Sequence, residues 1–200
     1  MGMESERLRL APPREQMTNS KPERDTAVGL EQGTVRLVSY SPAWHILFER
    51  EKKTLLITLH GIVLKIEHIG STSIPGMEAK PIIDMAAAIP SLDTVQKCIQ
   101  PLIAAGYEYK GEYGLSGRYF FTKGTPHTHY LHVVALGSDH WTDWLMFRDF
   151  VTTHREIADE YAVLKRDLAR VYQSDRDAYT SAKGEFISRI IRQAKAALPE

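Results

Sequence analysis

The sequence predicts a single α/β domain in which helices flank a mixed β-sheet and the last third of the chain is helical. Residues 81–89 form a nearly continuous apolar run, as in a central strand. Residues 107–113, 118–123 and 130–136 are rich in β-branched and aromatic side chains, and their short connections predict a meander. After residue 138 the apolar residues recur at helical spacing, so the strands are followed by packed helices.

Residues 1–33 are predicted to be a disordered tail, and residues 34–200 the folded domain. The tail contains three prolines, many charges and only scattered apolar side chains. Such a segment buries too little apolar area to offset the entropy lost on ordering.

The remaining elements follow from local signals. Residues 35–38 are predicted to form a short strand. Ser41 and Pro42 begin a helix that ends at Gly61. Residues 62–69 form a strand, 70–78 a loop, and 91–105 a helix. Three final helices are expected, over 139–152, after Thr153, and after Ser174 through residue 191.

Composition excludes several classes of protein. The 25 basic and 25 acidic residues balance, unlike the basic surface of a dedicated nucleic-acid binder, so no nucleic-acid partner is expected. No apolar run is long enough to cross a membrane. The single cysteine, Cys98, is typical of a reducing compartment, which predicts a cytoplasmic protein. Composition leaves the oligomeric state open.

Residues 67–84 carry the most specific chemical signal. A strand runs into Gly70, Ser71 and Thr72, whose small side chains and polar groups form a cradle suited to phosphate oxygens. Asp84 lies within the apolar run that follows, where a carboxylate needs a partner such as a hydrogen bond, a lysine or a metal ion. A simple turn followed by a structural aspartate would have the same residues. The combination of the Gly-Ser-Thr loop and Asp84 at this spacing nevertheless favours a phosphate-binding site.

The phrase IEHIGSTSIPGMEAKPIID, residues 66–84, closely resembles the GrpB family. The resemblance continues through residues 129–133 and 147–150 and through Tyr161, Lys165, Tyr179 and Lys183. It implies a nucleotidyltransferase-like fold with a Gly-Ser loop and a catalytic aspartate. Members of the family also occur as domains attached to dephospho-coenzyme A kinases, which implies a binding or partner-supporting role as the alternative.

The predicted metal site departs from the nucleotidyltransferase pattern. Active members of that superfamily carry two acids two residues apart, which bind two metal ions, whereas Asp84 is followed by Ala86. His132 is the polar residue on the later strand. A site of Asp84, His132 and Glu67 would hold one ion, with Mg²⁺ as the expected cofactor and Asp84 and His132 as the catalytic residues.

Several cationic and aromatic residues complete the predicted binding site. Lys80 and Arg118 would counter phosphate charge, or would form surface ion pairs. Tyr161 with Lys165, and Tyr179 with Lys183, are each one helical turn apart. Each tyrosine would stack on a base while its lysine takes charge, or the tyrosine would be core and the lysine would extend to solvent.

Two functions therefore stand side by side. The first is transfer of a nucleotidyl or phosphoryl group to a small molecule. The second is non-catalytic binding of a nucleotide or phosphorylated small molecule, or support of a partner protein. The Gly70–Asp84 layout favours the first, and Ala86 favours the second.

Overall fold

A computed structural model describes residues 28–197 and shows one five-stranded sheet flanked by helices. The strands are β1 (Lys65–Ile69), β2 (Ile83–Ile89), β3 (Tyr107–Tyr109), β4 (Arg118–Lys123) and β5 (His129–Ala135). The helices are α1 (Ala43–Thr58), α2 (Gln96–Ala104), α3 (Asp139–Thr153), α4 (Arg155–Val171), α5 (Arg176–Ser181) and α6 (Gly184–Ala196). Single 3₁₀ turns lie at Ser71–Ser73 and Leu92–Thr94.

The sheet is mixed, with strand order β1-β2-β5-β4-β3. The central pair β2 and β5 is parallel, and the other three pairs are antiparallel. Both faces of β2 are covered by other parts of the domain, which is why its residues form an apolar run rather than an alternating pattern. The predicted α/β fold class, with a mixed sheet flanked by helices and a meander of β3, β4 and β5, is confirmed.

Each face of the sheet packs on a different set of helices. One face of β2, with Ile83, Met85, Ala87 and Ile89, joins α1 and α2 in the main core. The opposite face carries Ala86 and Ala88 under Trp141 of α3. Alanine side chains leave room above the sheet on this second face, which is also the face of Asp84 because side chains alternate along a strand.

The loop between β1 and β2 is fastened to the C-terminal helices by apolar contacts. Ile74 and Met77 are buried in a cluster with Phe147 of α3, Tyr161 of α4 and Ile190 of α6. Burying two such side chains contributes about 3–6 kcal/mol. The loop that follows Gly70 is thus held against helices that are distant in sequence.

Two of the predicted elements were wrong. Residues 35–38 form no strand, and this stretch contributes only one isolated bridge, between Val38 and Ala79. The single helix expected after Ser174 is two helices, α5 and α6, separated at Ala182 and Lys183. Asp175, not Ser174, caps α5, since its carboxylate accepts the amide N–H of Ala178 at 2.9 Å.

The start of the described chain packs against the domain. Leu30 is buried and forms an isolated bridge with His127. Arg176 donates hydrogen bonds to the carbonyl oxygens of Glu31 and Thr34, which ties this segment to α5. The predicted tail falls mainly on residues 1–27, outside the described residues, and for those residues it stays a prediction.

None of the helices within residues 28–197 combines the length and the apolar character needed to cross a bilayer.

Candidate anion-binding site

Asp84 lies at the centre of the sheet, beside the backbone of Gly70. In the register, Asp84 is opposite Ile69 on β1 and Tyr130 on β5. Gly70 adopts φ +68°, and a Cβ atom there would lie 2.8 Å from Asp84 Oδ2. Only glycine satisfies both the positive φ and this close approach. Gly70 and Asp84, two residues of the predicted site, are therefore in direct contact.

Two polar residues flank the position at which the expected second acid is missing. Ala86 is opposite Glu67 on β1 and opposite His132 on β5. His132 Nε2 lies 4.0 Å from Asp84 Oδ1, longer than a hydrogen bond. Burial lowers the pKa of His132, and the Asp84 carboxylate opposes that shift. His132 Nδ1 is buried without a hydrogen-bond partner among the described residues.

Glu67 is paired with a cation rather than directed at Asp84. Arg148 Nη1 donates to Glu67 Oε2 at 3.0 Å and to the carbonyl oxygen of His68 at 2.8 Å. Arg148 also pairs with its neighbour Asp149 at 2.7 Å. Across residues 28–197, no three histidine, cysteine or acidic side chains are grouped closely enough to hold a metal ion. The predicted ligands Asp84, Glu67 and His132 are thus not preassembled, and the predicted Mg²⁺ stays a prediction.

The loop residues predicted to bind phosphate have different surroundings. Thr72 is buried, and its hydroxyl is 3.0 Å from Nε2 of His68, so this side chain fixes the loop. Ser71 is partly exposed, and its hydroxyl lies near the phenol of Tyr161 and lowers the pKa of that group. Burial raises the pKa of Tyr161 to about 12, so its phenol stays protonated near neutral pH. Gly70 and Ser71 therefore form the part of the loop next to Asp84.

Three of the predicted cationic residues come together, and we name Lys80, Lys165 and Lys183 the lysine cluster. The Nζ atoms of Lys80 and Lys183 lie 5.4 and 4.4 Å from the centroid of the same ring, that of Tyr179. Lys165 Nζ lies 5.0 Å from the centroid of Tyr161 and donates to the carbonyl oxygen of Glu78. The break between α5 and α6 places Lys183 in this cluster.

Three carboxylates, those of Asp84, Glu78 and Asp177, lie near the lysine cluster, but none forms an ion pair with it among the described residues. Within residues 28–197, neither Lys80 nor Lys183 has a hydrogen-bond or ion-pair partner. Burial lowers the pKa of Lys80 to about 8, and Asp84 opposes this shift. Burial lowers the pKa of Lys183 well below its usual value, and the ammonium groups of Lys80 and Lys165 lower it further. Desolvation and mutual repulsion both disfavour these cations unless an anion is bound.

Burial also lowers the pKa of Lys165, to about 7. Its side chain is 1% exposed, so the ammonium group is fixed on the loop carbonyl rather than extended to solvent. Tyr161 and Tyr179 are likewise buried, and the lysines lie over their rings. The tyrosines position the lysines, and neither presents an open ring face on which a base could stack.

Arg118 lies apart from the lysine cluster. It is opposite Val134 on β5, four residues beyond the level of Asp84. Its guanidinium donates to the carbonyl oxygens of Glu112 and Tyr113 and stacks over Phe120, with Cζ 5.1 Å from the ring centroid. Arg118 thus closes the loop between β3 and β4.

Sequence reasoning did not single out Arg176 and Tyr130. Arg176 is buried and donates a hydrogen bond to the phenol of Tyr130, the residue opposite Asp84. No periodicity or motif marks Arg176 as buried, because it sits in the first turn of a six-residue helix. Only the tertiary fold brings it to the site.

Residues 34–193 match the GrpB protein family. The chain belongs to the GrpB family. It is 39% identical to the UPF0157 protein YqkA of Bacillus subtilis over 80% of this chain. The match spans only about half, 47%, of the length of that relative. It is 36% identical to the glutamate-rich protein GrpB of Alkalihalophilus pseudofirmus, over 83% of this chain and 99% of that protein.

A solved structure supports the same assignment. The GrpB protein of Enterococcus faecalis superposes with a TM-score of 0.73 at 37% identity, covering 80% of this chain and 96% of that one. The GrpB domain described here therefore has the fold of its family. The predicted family and fold class are confirmed, while the cytoplasmic location stays a prediction.

Proposed function

We propose that this GrpB domain binds a nucleotide or a phosphorylated small molecule between the Gly70–Ser71 loop and the lysine cluster. The observation that carries the proposal is the pair of ammonium groups, Lys80 and Lys183, which share one tyrosine ring without an anionic partner at hydrogen-bond distance. A phosphate group supplies the missing negative charge and accepts several hydrogen bonds at once.

The neighbouring loop supports the same ligand. Gly70 allows close approach of the backbone, and Ser71 is the partly exposed hydroxyl next to it. When they are protonated, the three lysines present ammonium groups that no carboxylate pairs at ion-pair distance among the described residues. A polyanion fits this arrangement better than a neutral metabolite.

Binding is tested by thermal unfolding with ATP and pyrophosphate, using Lys183→Met against the surface control Lys53→Met. A ligand at a hundred times its Kd stabilises the folded state by about 2.7 kcal/mol. We expect this stabilisation in the wild type and in Lys53→Met and its loss in Lys183→Met. Equal stabilisation of both variants, or none in any protein, would contradict the proposal.

A second candidate function is transfer of a nucleotidyl or phosphoryl group from the bound ligand to a small molecule. It is favoured by His132, whose Nε2 atom is 4.0 Å from Asp84 Oδ1. A neutral imidazole beside a carboxylate is suited to accept a proton from an attacking hydroxyl group. Turnover of nucleotide by the wild type and its loss in His132→Asn, with ligand binding retained, would support transfer.

Binding without turnover would instead favour the non-catalytic alternative, in which the domain binds its ligand or supports a partner protein.

A further inference from the structure

The donor atoms around Asp84 do not fit the pair of magnesium ions of a two-metal site. Magnesium in phosphate sites is usually bound by one or two carboxylates together with phosphate oxygens and water, in near-octahedral geometry. Ala86 is fully buried and offers no donor atom at the position where a second acid would lie. Glu67 is engaged by Arg148 at 3.0 Å. Asp84 is therefore left as the one carboxylate on this part of the sheet face among the described residues.

Ammonium groups of the protein lie near Asp84, the residue at which a metal ion would be expected. Those of Lys80 and Lys183 converge on Tyr179, and Lys165 is fixed one loop away on the carbonyl of Glu78. The Asp84 carboxylate opposes the lowering of the pKa of Lys80 and of Lys183, so both lie within its electrostatic reach. When these lysines are protonated, they would repel a divalent cation placed beside Asp84.

We propose that Lys80 and Lys183, with the buried Lys165 behind them, take the place of divalent metal ions in this site, so that the polyphosphate binds metal-free and magnesium competes with the protein for it. This inference rests on the proposed function, since it concerns how the same ligand is held. It goes further because it predicts the direction in which magnesium and the Asp84 carboxylate each change the affinity for polyphosphate.

The first effect is that of magnesium. Chelation by Mg²⁺ removes two negative charges from a polyphosphate, which weakens its attraction to the lysine cluster. In a metal-bridged site the ion would instead connect the phosphate to Asp84 and strengthen binding.

The second effect is that of the Asp84 carboxylate. In a metal-free site its negative charge repels the polyphosphate, so Asp84→Asn should strengthen binding. In a metal-bridged site the same substitution removes the central ligand, and binding would be lost. Asparagine has the same shape as aspartate, so the contact with Gly70 is retained.

The test is isothermal titration calorimetry with inorganic pyrophosphate at constant ionic strength, with EDTA in one series and excess Mg²⁺ in the other. For the wild type we expect binding on the order of tenfold tighter in EDTA than in magnesium. We expect Asp84→Asn to bind about fivefold more tightly than the wild type in EDTA. The control Asp159→Asn, an exposed acid on α4, should leave the Kd unchanged.

The outcomes separate this inference from the function on which it rests. Binding that requires magnesium, or that disappears in Asp84→Asn, overturns the metal-free site and leaves phosphate binding intact. Absence of pyrophosphate binding by the wild type in both series overturns phosphate binding itself. The wild-type comparison involves no substitution, so it stands even where Asp84→Asn folds poorly.

Discussion

The contact between Gly70 and Asp84 gives the sharpest prediction of stability. Replacing Gly70 with alanine places a Cβ atom 2.8 Å from Asp84 Oδ2, 3.0 Å from its Cβ and 3.2 Å from its Cγ. Separations this short require the two strands or the side chain to move. The alanine would also have to adopt a φ of +68°.

The magnitude follows from these two costs. At φ +68° and ψ −173°, Gly70 adopts a backbone conformation open essentially only to glycine, which costs an alanine about 1–3 kcal/mol. Relief of the overlap with Asp84 adds roughly 1–3 kcal/mol. We therefore expect Gly70→Ala to lower the free energy of unfolding by about 2–6 kcal/mol. For a domain of this size that corresponds to a fall in Tm of roughly 4–24 °C.

The assay is urea unfolding followed by circular dichroism, with Gly61→Ala as the matched control. Gly61 has φ +74° but nothing within 4 Å of the added Cβ, so it reports the backbone cost alone. Combining Gly70→Ala with Asp84→Ala removes Oδ2 and Cγ, and the penalty of the glycine substitution should shrink. Equal destabilisation by Gly70→Ala and Gly61→Ala, within about 0.5 kcal/mol, would refute the reasoning.

Three further predictions concern groups around the site. Burial lowers the pKa of Lys165 from 10.5 to about 7. Because the unfolded chain then binds more protons between these values, stability rises with pH through this window, by at most about 1.4 kcal/mol per pH unit. Lys165→Met should flatten that rise in urea titrations at pH 7, 8 and 9, and an unchanged slope would contradict it. Arg148→Met should lower the free energy of unfolding by about 1–3 kcal/mol, because it leaves the carbonyl of His68 and the Glu67 carboxylate unpaired. The exposed Arg155→Met should change it by less than about 0.5 kcal/mol, and equal effects of the two variants would argue against a role for the Arg148 contacts. Phe121→Ala removes a fully buried side chain and should lower the free energy of unfolding, measured by urea unfolding, by about 3–5 kcal/mol. No measurable change would contradict this prediction and would mean that the core collapses into the space.

The sequence predicted those parts of the fold that depend on local pattern. A strand lies over residues 118–123, as the β-branched and aromatic content indicated. A helix lies over residues 139–153, as the Ser138 cap indicated, and Ser138 Oγ accepts the amide N–H of Trp141. The association of Gly70 with Asp84 was predictable because a strand, a glycine and a following apolar run constrain one another.

The parts that the sequence did not predict depend on tertiary contacts. Residues 35–38 have the composition of a strand, yet they form only one isolated bridge, between Val38 and Ala79, because strand formation also needs a partner strand that the local sequence does not specify. No proline marks the break between α5 and α6 at Lys183. The neighbouring glycine, Gly184, is the first residue of α6. Arg118 looked like a phosphate ligand, but its position on β4 binds it to loop carbonyls.

The same reasoning explains the charge balance of the site. A lysine four residues after a tyrosine on a helix is compatible with a solvated amphipathic face. The sequence alone does not distinguish that arrangement from a cluster in which Lys165 is buried and Lys80 and Lys183 are partly buried. Only the convergence of α4, α5 and the segment before β2 brings three lysines together. The neutral composition of the chain therefore hid a locally positive site.

The way in which the C-terminal helices fasten the loop after Gly70 has a consequence for synthesis of the chain. The cluster around Ile74 and Met77 can form completely only after Phe186 and Ile190 have been synthesised. Lys183 belongs to the same late part of the chain. Such long-range contacts form late, after the entropy of closing the intervening chain has been overcome. A growing polypeptide on the ribosome thus has the glycine loop, Lys80 and Asp84 long before it has Lys165 and Lys183, so the proposed binding site is complete only when the fold is complete.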